Sequence, residues 1–124
     1  MSSKILVIDD EKAIRNSFLL TFENSEYHVD TAASGLEGID KIKQDNFDLV
    51  FLDLKMPKID GIETLRRIRL FNKNSLVYIF TAFHRDFFQE LEIATLEGLN
   101  FEIVQKPLDS EQLLNLVKSI LTNK

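Results

Sequence analysis

Carboxylates, a threonine hydroxyl and a lysine occur in this 124-residue chain in short segments, each at the end of an apolar or alternating run. Asp9-Asp10-Glu11 follows Ile5-Leu6-Val7-Ile8, and Asp53 follows Leu49-Val50-Phe51-Leu52, with Lys55, Pro57, Asp60 and Gly61 close behind. Thr81-Ala82 follows Val77-Tyr78-Ile79-Phe80, and Lys106-Pro107 comes one residue, Gln105, after Phe101-Glu102-Ile103-Val104. Brought together, these groups define a particular chemistry. Two carboxylates ~4 Å apart repel by about 4 kcal/mol at an effective dielectric near 20, so three in one crevice require a cation. Oxygen-only donors in a small, partly hydrated site favour Mg2+ over Ca2+, and Lys106 adds a second positive charge. A metal, a lysine and a hydroxyl around one carboxylate suit phosphoryl transfer, with Asp53 as the nucleophile. The Thr81 hydroxyl and the Ala82 backbone N–H would then donate to the phosphoryl oxygens.

Singly, each residue has an ordinary structural role. An aspartate at a strand end is usually a turn former or a helix N-cap, a threonine there is a satisfied turn hydroxyl, and Pro107 terminates a strand. These residues form a site only if the fold makes the segments converge.

Strand-like and helix-like stretches alternate along the whole chain, the pattern of an α/β fold with a parallel sheet. The runs ending at Ile8, Leu52 and Phe80 are apolar throughout and read as central strands buried on both faces. Tyr27-His28-Val29-Asp30 and Phe101-Glu102-Ile103-Val104 alternate in polarity and read as sheet edges. Helical faces are expected from Ile14, Phe18 and Phe22, from Leu36 and Ile39, from Ile62, Leu65 and Ile68, and from Leu113, Val117, Ile120 and Leu121. Asp109 or Ser110 is placed to cap the last helix, and Gly61 lies where a loop must turn. Five strands and five helices with edges at strands two and five predict a flavodoxin-like, doubly wound sheet of order 2-1-3-4-5. In that order the carboxyl ends of strands one and three flank the crevice where ligand chemistry belongs.

Composition narrows the function classes. The chain has no cysteine, which removes disulfides, thiolate metal sites and cysteine nucleophiles. Acidic residues outnumber basic ones by 20 to 15, and the net charge of −5 offers no footprint for nucleic acid. The Arg66, Arg67 and Arg69 group reads as a solvated helix face. His28 and His84 read as an edge-strand residue and a loop residue. Apolar runs are far too short to span a bilayer and the N-terminus has no signal-peptide pattern, so a cytoplasmic protein is expected.

Over essentially its full length the sequence resembles the receiver domain of two-component response regulators. Ile8-Asp9-Asp10, the stretch from Asp53 through Met56 and Pro57 to Asp60-Gly61, Thr81-Ala82 and Lys106-Pro107 carry the resemblance, in that order. The resemblance implies that Asp53 accepts a phosphoryl group from a phosphohistidine on a sensor histidine kinase or histidine phosphotransferase. It implies Mg2+ held by Asp10, Asp53 and the backbone carbonyl of Lys55, with Asp9 acting through bound water, and phosphoryl contacts from Thr81 and Lys106. A cis Lys106–Pro107 peptide is implied as well. The chain ends soon after the fifth helix, so one receiver domain over residues 1–124 is expected, like the single-domain, chemotaxis-regulator-like members. Such a protein is a switch that passes a signal to a downstream protein target, and not a turnover enzyme.

Two departures concern output. Ile103 stands where the family carries Tyr or Phe three residues before the lysine, and the Thr81-to-Lys106 stretch is a few residues longer than usual. The region from Phe83 to Gly98 contains Phe83, Phe87, Phe88, Leu91, Ile93 and Leu96, more than one helix face can bury. Either the local core is rearranged, or an exposed patch serves a partner or a homodimer. Three other readings fit less well. A phosphate-independent docking module need not keep the acids, Thr81 and Lys106. Aspartate-nucleophile phosphatases carry Asp-x-Asp after strand one, where this chain has adjacent aspartates. A flavin carrier needs neutral donors there to cradle phosphate.

Overall fold

The computed structural model describes residues 3–82, 84–106 and 109–122. The strands are β1 (Lys4–Ile8), β2 (His28–Ala32), β3 (Leu49–Leu52), β4 (Leu76–Thr81) and β5 (Glu102–Gln105). The helices are α1 (Lys12–Phe22), α2 (Gly35–Gln44), α3 (Gly61–Phe71), α4 (Phe88–Leu96) and α5 (Ser110–Thr122), and a 3-10 turn at His84–Phe87 leads into α4. All pairings are parallel, in the order β2-β1-β3-β4-β5. The expected topology and edge strands are therefore present.

The pleat of β1 distributes its residues between two cores. Leu6 and Ile8 join Val50, Leu52, Ile62, Leu65 and Leu91 under α2, α3 and α4. Ile5 and Val7 join Phe18, Phe22, Phe51, Phe80, Leu113 and Val117 under α1 and α5. In the second core Phe18 contacts Phe51 and Phe80 with ring centroids 5.1 and 5.4 Å apart.

Several expectations need correction. Leu36 is 45% exposed, and α2 instead buries Gly35, Gly38, Ile39 and Ile42. The buried stripe runs through both glycines, where a Cβ on Gly38 would collide with Ile8, and Leu36, about 100° round the helix from Gly35, falls outside it. Arg69 is buried, not solvated. Its guanidinium donates to the carbonyls of Asn72 (3.2 Å) and Asn100 (2.7 Å), closing the C-terminal end of α3 onto the loop before β5. Only Arg66 and Arg67 form the surface network expected of the group, both paired with Glu63. His84 lies in the connection between β4 and α4, where it opens the 3-10 turn. Between the two candidate caps of α5, Asp109 serves: its Oδ1 accepts from Gln112 N at 2.8 Å while Gln112 Oε1 accepts from Asp109 N, a reciprocal box.

Candidate functional site

The sheet ladder aligns the carboxyl ends of the strands. Asp53 N donates to Ile8 O (2.8 Å), Asp9 N to Ala32 O (3.0 Å) and Lys106 N to Thr81 O (3.0 Å), so each residue is fixed one step beyond its strand by the neighbouring strand. Asp60 caps α3, accepting from Glu63 N at 2.9 Å. Gly61 then brings that helix against the end of β3. A Cβ there would meet the Asp53 carbonyl and lie 2.8 Å from Leu54 Cα. The glycine predicted at a turn is thus required by close approach at the first residue of α3. Leu54 and Met56 are buried and anchor the intervening loop, which passes through Lys58 at φ 70°, a left-handed conformation unusual for a side-chain-bearing residue.

Carboxylate oxygens of Asp9, Asp10 and Asp53 lie within 4.8 Å of one another. Asp9 and Asp53 are buried and Asp10 is exposed. Lys106 reaches in from the other side, with its Nζ 2.8 Å from Asp9 Oδ2 and 3.3 Å from Asp53 Oδ1. The ammonium also lies 5.3 Å from the centroid of the Phe80 ring, which walls it from the core. Asp9 is further fixed by the Glu11 N–H, which donates to its Oδ1 at 2.9 Å. Thr81 is fully buried at the end of β4, and Ala82 is exposed just beyond it. Lys55 is exposed in the loop after β3. The Lys106–Pro107 peptide lies outside the described residues, as does Phe83.

Electrostatics follow from this geometry. Burial, and next the negative charge of Asp9, push the Asp53 carboxyl up to about 6 against the pull of Lys106. Burial works to lower the Lys106 ammonium, but its bond to Asp9 and the charge of Asp53 prevail and hold it above its ordinary value. Three carboxylates face one ammonium, and the donors are hard oxygens at short range. That donor set fits a small divalent cation of the Mg2+ type.

One site-adjacent residue lies outside the sequence motifs. Arg15, one turn into α1, donates from its NH1 to the Asp9 carbonyl at 2.8 Å. The available signal was a basic residue five positions after Asp10, on a helix starting immediately behind an acidic triplet.

A doubly wound parallel sheet with an acidic cluster and a lysine at its switch point defines a class of protein that handles phosphoryl groups on a carboxylate. The response regulator receiver domain model matches residues 5–118, and the chain belongs to that family. It is 36% identical to sporulation initiation phosphotransferase F of Bacillus subtilis, over 100% of this chain and 98% of the relative. It is 34% identical to the response regulator MprA of Mycobacterium bovis over 98% of this chain, which spans about half (51%) of that longer relative. Among solved structures, a CheY-like receiver domain protein from Methanospirillum hungatei superposes with a TM-score of 0.87 at 27% identity, covering 99% of this chain and 96% of the other. The response regulator TrrA of Thermotoga maritima, solved in complex with Mg2+ and beryllofluoride, gives 0.79 at 30% identity over 95% and 98%. The chain is accordingly a receiver domain of phosphorelay signalling. No helix among the described residues is long and apolar enough to cross a membrane.

Proposed function

We propose that Asp53 is the phosphoryl acceptor and that Asp9, Asp10, Asp53 and the Lys55 carbonyl hold Mg2+, directly or through water. The observation that carries this reading is the Lys106 ammonium set between Asp9 and Asp53 at 2.8 and 3.3 Å, beside a carboxylate cluster. An Asp53 oxygen attacks the phosphorus of a phosphohistidine on a sensor histidine kinase or histidine phosphotransferase. The P–O bond forms as the P–N bond breaks and the imidazole departs. Bound Mg2+ supplies charge neutralisation at the phosphoryl oxygens. Lys106 pairs with one of those oxygens, and the Thr81 hydroxyl and Ala82 N–H donate to the others. The Mg2+ and beryllofluoride bound to the Thermotoga regulator support the choice of metal. Residues 1–124 act as one receiver domain in the cytoplasm, a switch without an external substrate to turn over.

The downstream contact is assigned to the α4–β5 side. Phe88, Leu91, Thr95, Leu96, Phe101 and Ile103 line a groove of about 270 Å³ there. Phe88 is 58% and Leu96 81% exposed, whereas Leu91 is buried and packs mainly into the core. Glu92 on the groove wall disfavours pairing of two copies face to face, so a partner protein segment is preferred over the homodimer.

Incubation with acetyl phosphate and Mg2+ followed by mass spectrometry tests the assignment. One phosphoryl group is expected on the parent and none on Asp53→Asn. Label persisting on another aspartate would overturn it.

A further inference from the structure

Arg15 stands where helix electrostatics alone would not place it. It is the fourth residue of α1, a helix whose first turn carries no acid and whose N-cap, Glu11, makes no side-chain capping bond. A cation there opposes the positive end of the helix dipole. Side chains on a helix lean toward its N-terminus, so an arginine at this position reaches back over the first turn. It does so here: NH1 donates to the Asp9 carbonyl at 2.8 Å. No ion pair engages Arg15 among the described residues.

The accepting carbonyl belongs to the peptide joining Asp9 to Asp10. Asp9 itself is held three other ways, by its N–H to Ala32 O, its Oδ1 to Glu11 N and its Oδ2 to Lys106. Asp10 is the exposed member of the cluster, and its carboxylate direction depends on the orientation of that peptide. Fixing the carbonyl therefore fixes the direction in which Asp10 leaves the chain.

We propose that Arg15 is a positioning residue for the divalent cation, acting through the Asp9 carbonyl to aim the Asp10 carboxylate into the cluster. The proposal rests on the metal reading given above and adds to it a residue that touches neither metal nor phosphoryl group. Outer-shell partners of this kind commonly govern metal affinity by ten-fold or more.

The sign of the effect separates positioning from simple charge. If Arg15 were only a neighbouring cation, removing it would tighten Mg2+ binding by deepening the negative potential. If it positions Asp10, removing it weakens binding. Mg2+ affinity is measured by titration calorimetry on the parent, Arg15→Met, Arg15→Lys, Asp10→Ala and the Arg15→Met/Asp10→Ala double variant. Methionine keeps the packing of the aliphatic stem, and lysine keeps a donor of similar reach. The expected result is about tenfold weaker binding in Arg15→Met, substantial recovery in Arg15→Lys, and no further loss from Arg15→Met once Asp10 is alanine. In the metal-free proteins, Arg15→Met should shift the backbone amide resonances of Asp10 and Glu11, a readout independent of phosphorylation. Unchanged or tighter binding in Arg15→Met, a lysine variant as weak as the methionine one, or full additivity with Asp10→Ala would overturn the proposal. If the parent binds no Mg2+, the metal reading fails and this proposal with it. Normal binding by the parent that is insensitive to residue 15 sinks only the role of Arg15.

Discussion

The Nζ of Lys106 lies 3.3 Å from Oδ1 of Asp53, although 53 residues separate them. The ammonium bridges Asp53 and Asp9, both buried. Lys106→Met leaves them unpaired, which typically costs about 3 kcal/mol or more. Chemical denaturation in EDTA should register a loss of that order, and saturating Mg2+ should restore much of it. A loss unaffected by Mg2+ would show that the lysine serves packing instead.

Asp53 sets a pH dependence of definite sign. Its folded-state carboxyl is raised to about 6 from an ordinary 3.8, so the fold favours the protonated form. The associated stability is fully present below the unfolded value and is lost as pH rises through about 6. A shift of about two units corresponds to roughly 3 kcal/mol. In EDTA, the parent should lose stability relative to Asp53→Asn between pH 4 and pH 7. Urea midpoints at several pH values measure this, and parallel profiles would contradict it.

Mg2+ should stabilise the folded chain by mass action, by about 2.7 kcal/mol when present at 100 times its dissociation constant. Asp10→Ala should reduce that gain by removing one of the three clustered carboxylates, while slightly stabilising the metal-free protein by relieving repulsion. Melting curves with and without Mg2+ test both halves.

Lys58 holds φ 70° on the loop leaving Asp53. A left-handed conformation costs a side-chain-bearing residue about 1 kcal/mol relative to glycine. Lys58→Gly should therefore raise stability by up to that amount, read from the denaturation midpoint. A loss instead would mean that the lysine side chain makes compensating contacts.

On the output side, Phe88 and Leu91 stand three residues apart with different roles. Phe88→Ala should change stability by less than about 0.5 kcal/mol, whereas Leu91→Ala, in the core, should cost about 2 to 4 kcal/mol. With a beryllofluoride mimic, amide exchange should change most between residues 84 and 100. An unaltered pattern there, with partner binding still responsive to the mimic, would place the switch elsewhere.

Sequence alone determined the order and type of the elements, because period-two and period-3.6 apolar patterns report burial directly. It also pointed to the candidate site, since a 2-1-3-4-5 winding leaves the ends of β1 and β3 on either side of one crevice. Asp9, Asp10, Asp53, Thr81 and Lys106 were legible for that reason: each ends a strand or lies within two residues of its carboxyl end. What only the tertiary structure decided are contacts without periodicity. Leu36 lies at the surface because α2 packs through Gly35 and Gly38, where Gly38 meets Ile8 too closely for a side chain, and a hydrophobicity pattern carries no measure of that distance. Arg69 looked like surface charge until the carbonyls of Asn72 and Asn100, brought together by packing, gave a buried guanidinium its partners. Arg15 likewise reads as an ordinary helix residue until the end of β1 places the Asp9 carbonyl within 2.8 Å of it. Hydrogen bonds to backbone carbonyls leave no trace in side-chain pattern, because every residue offers the same acceptor and only the fold selects which one is near.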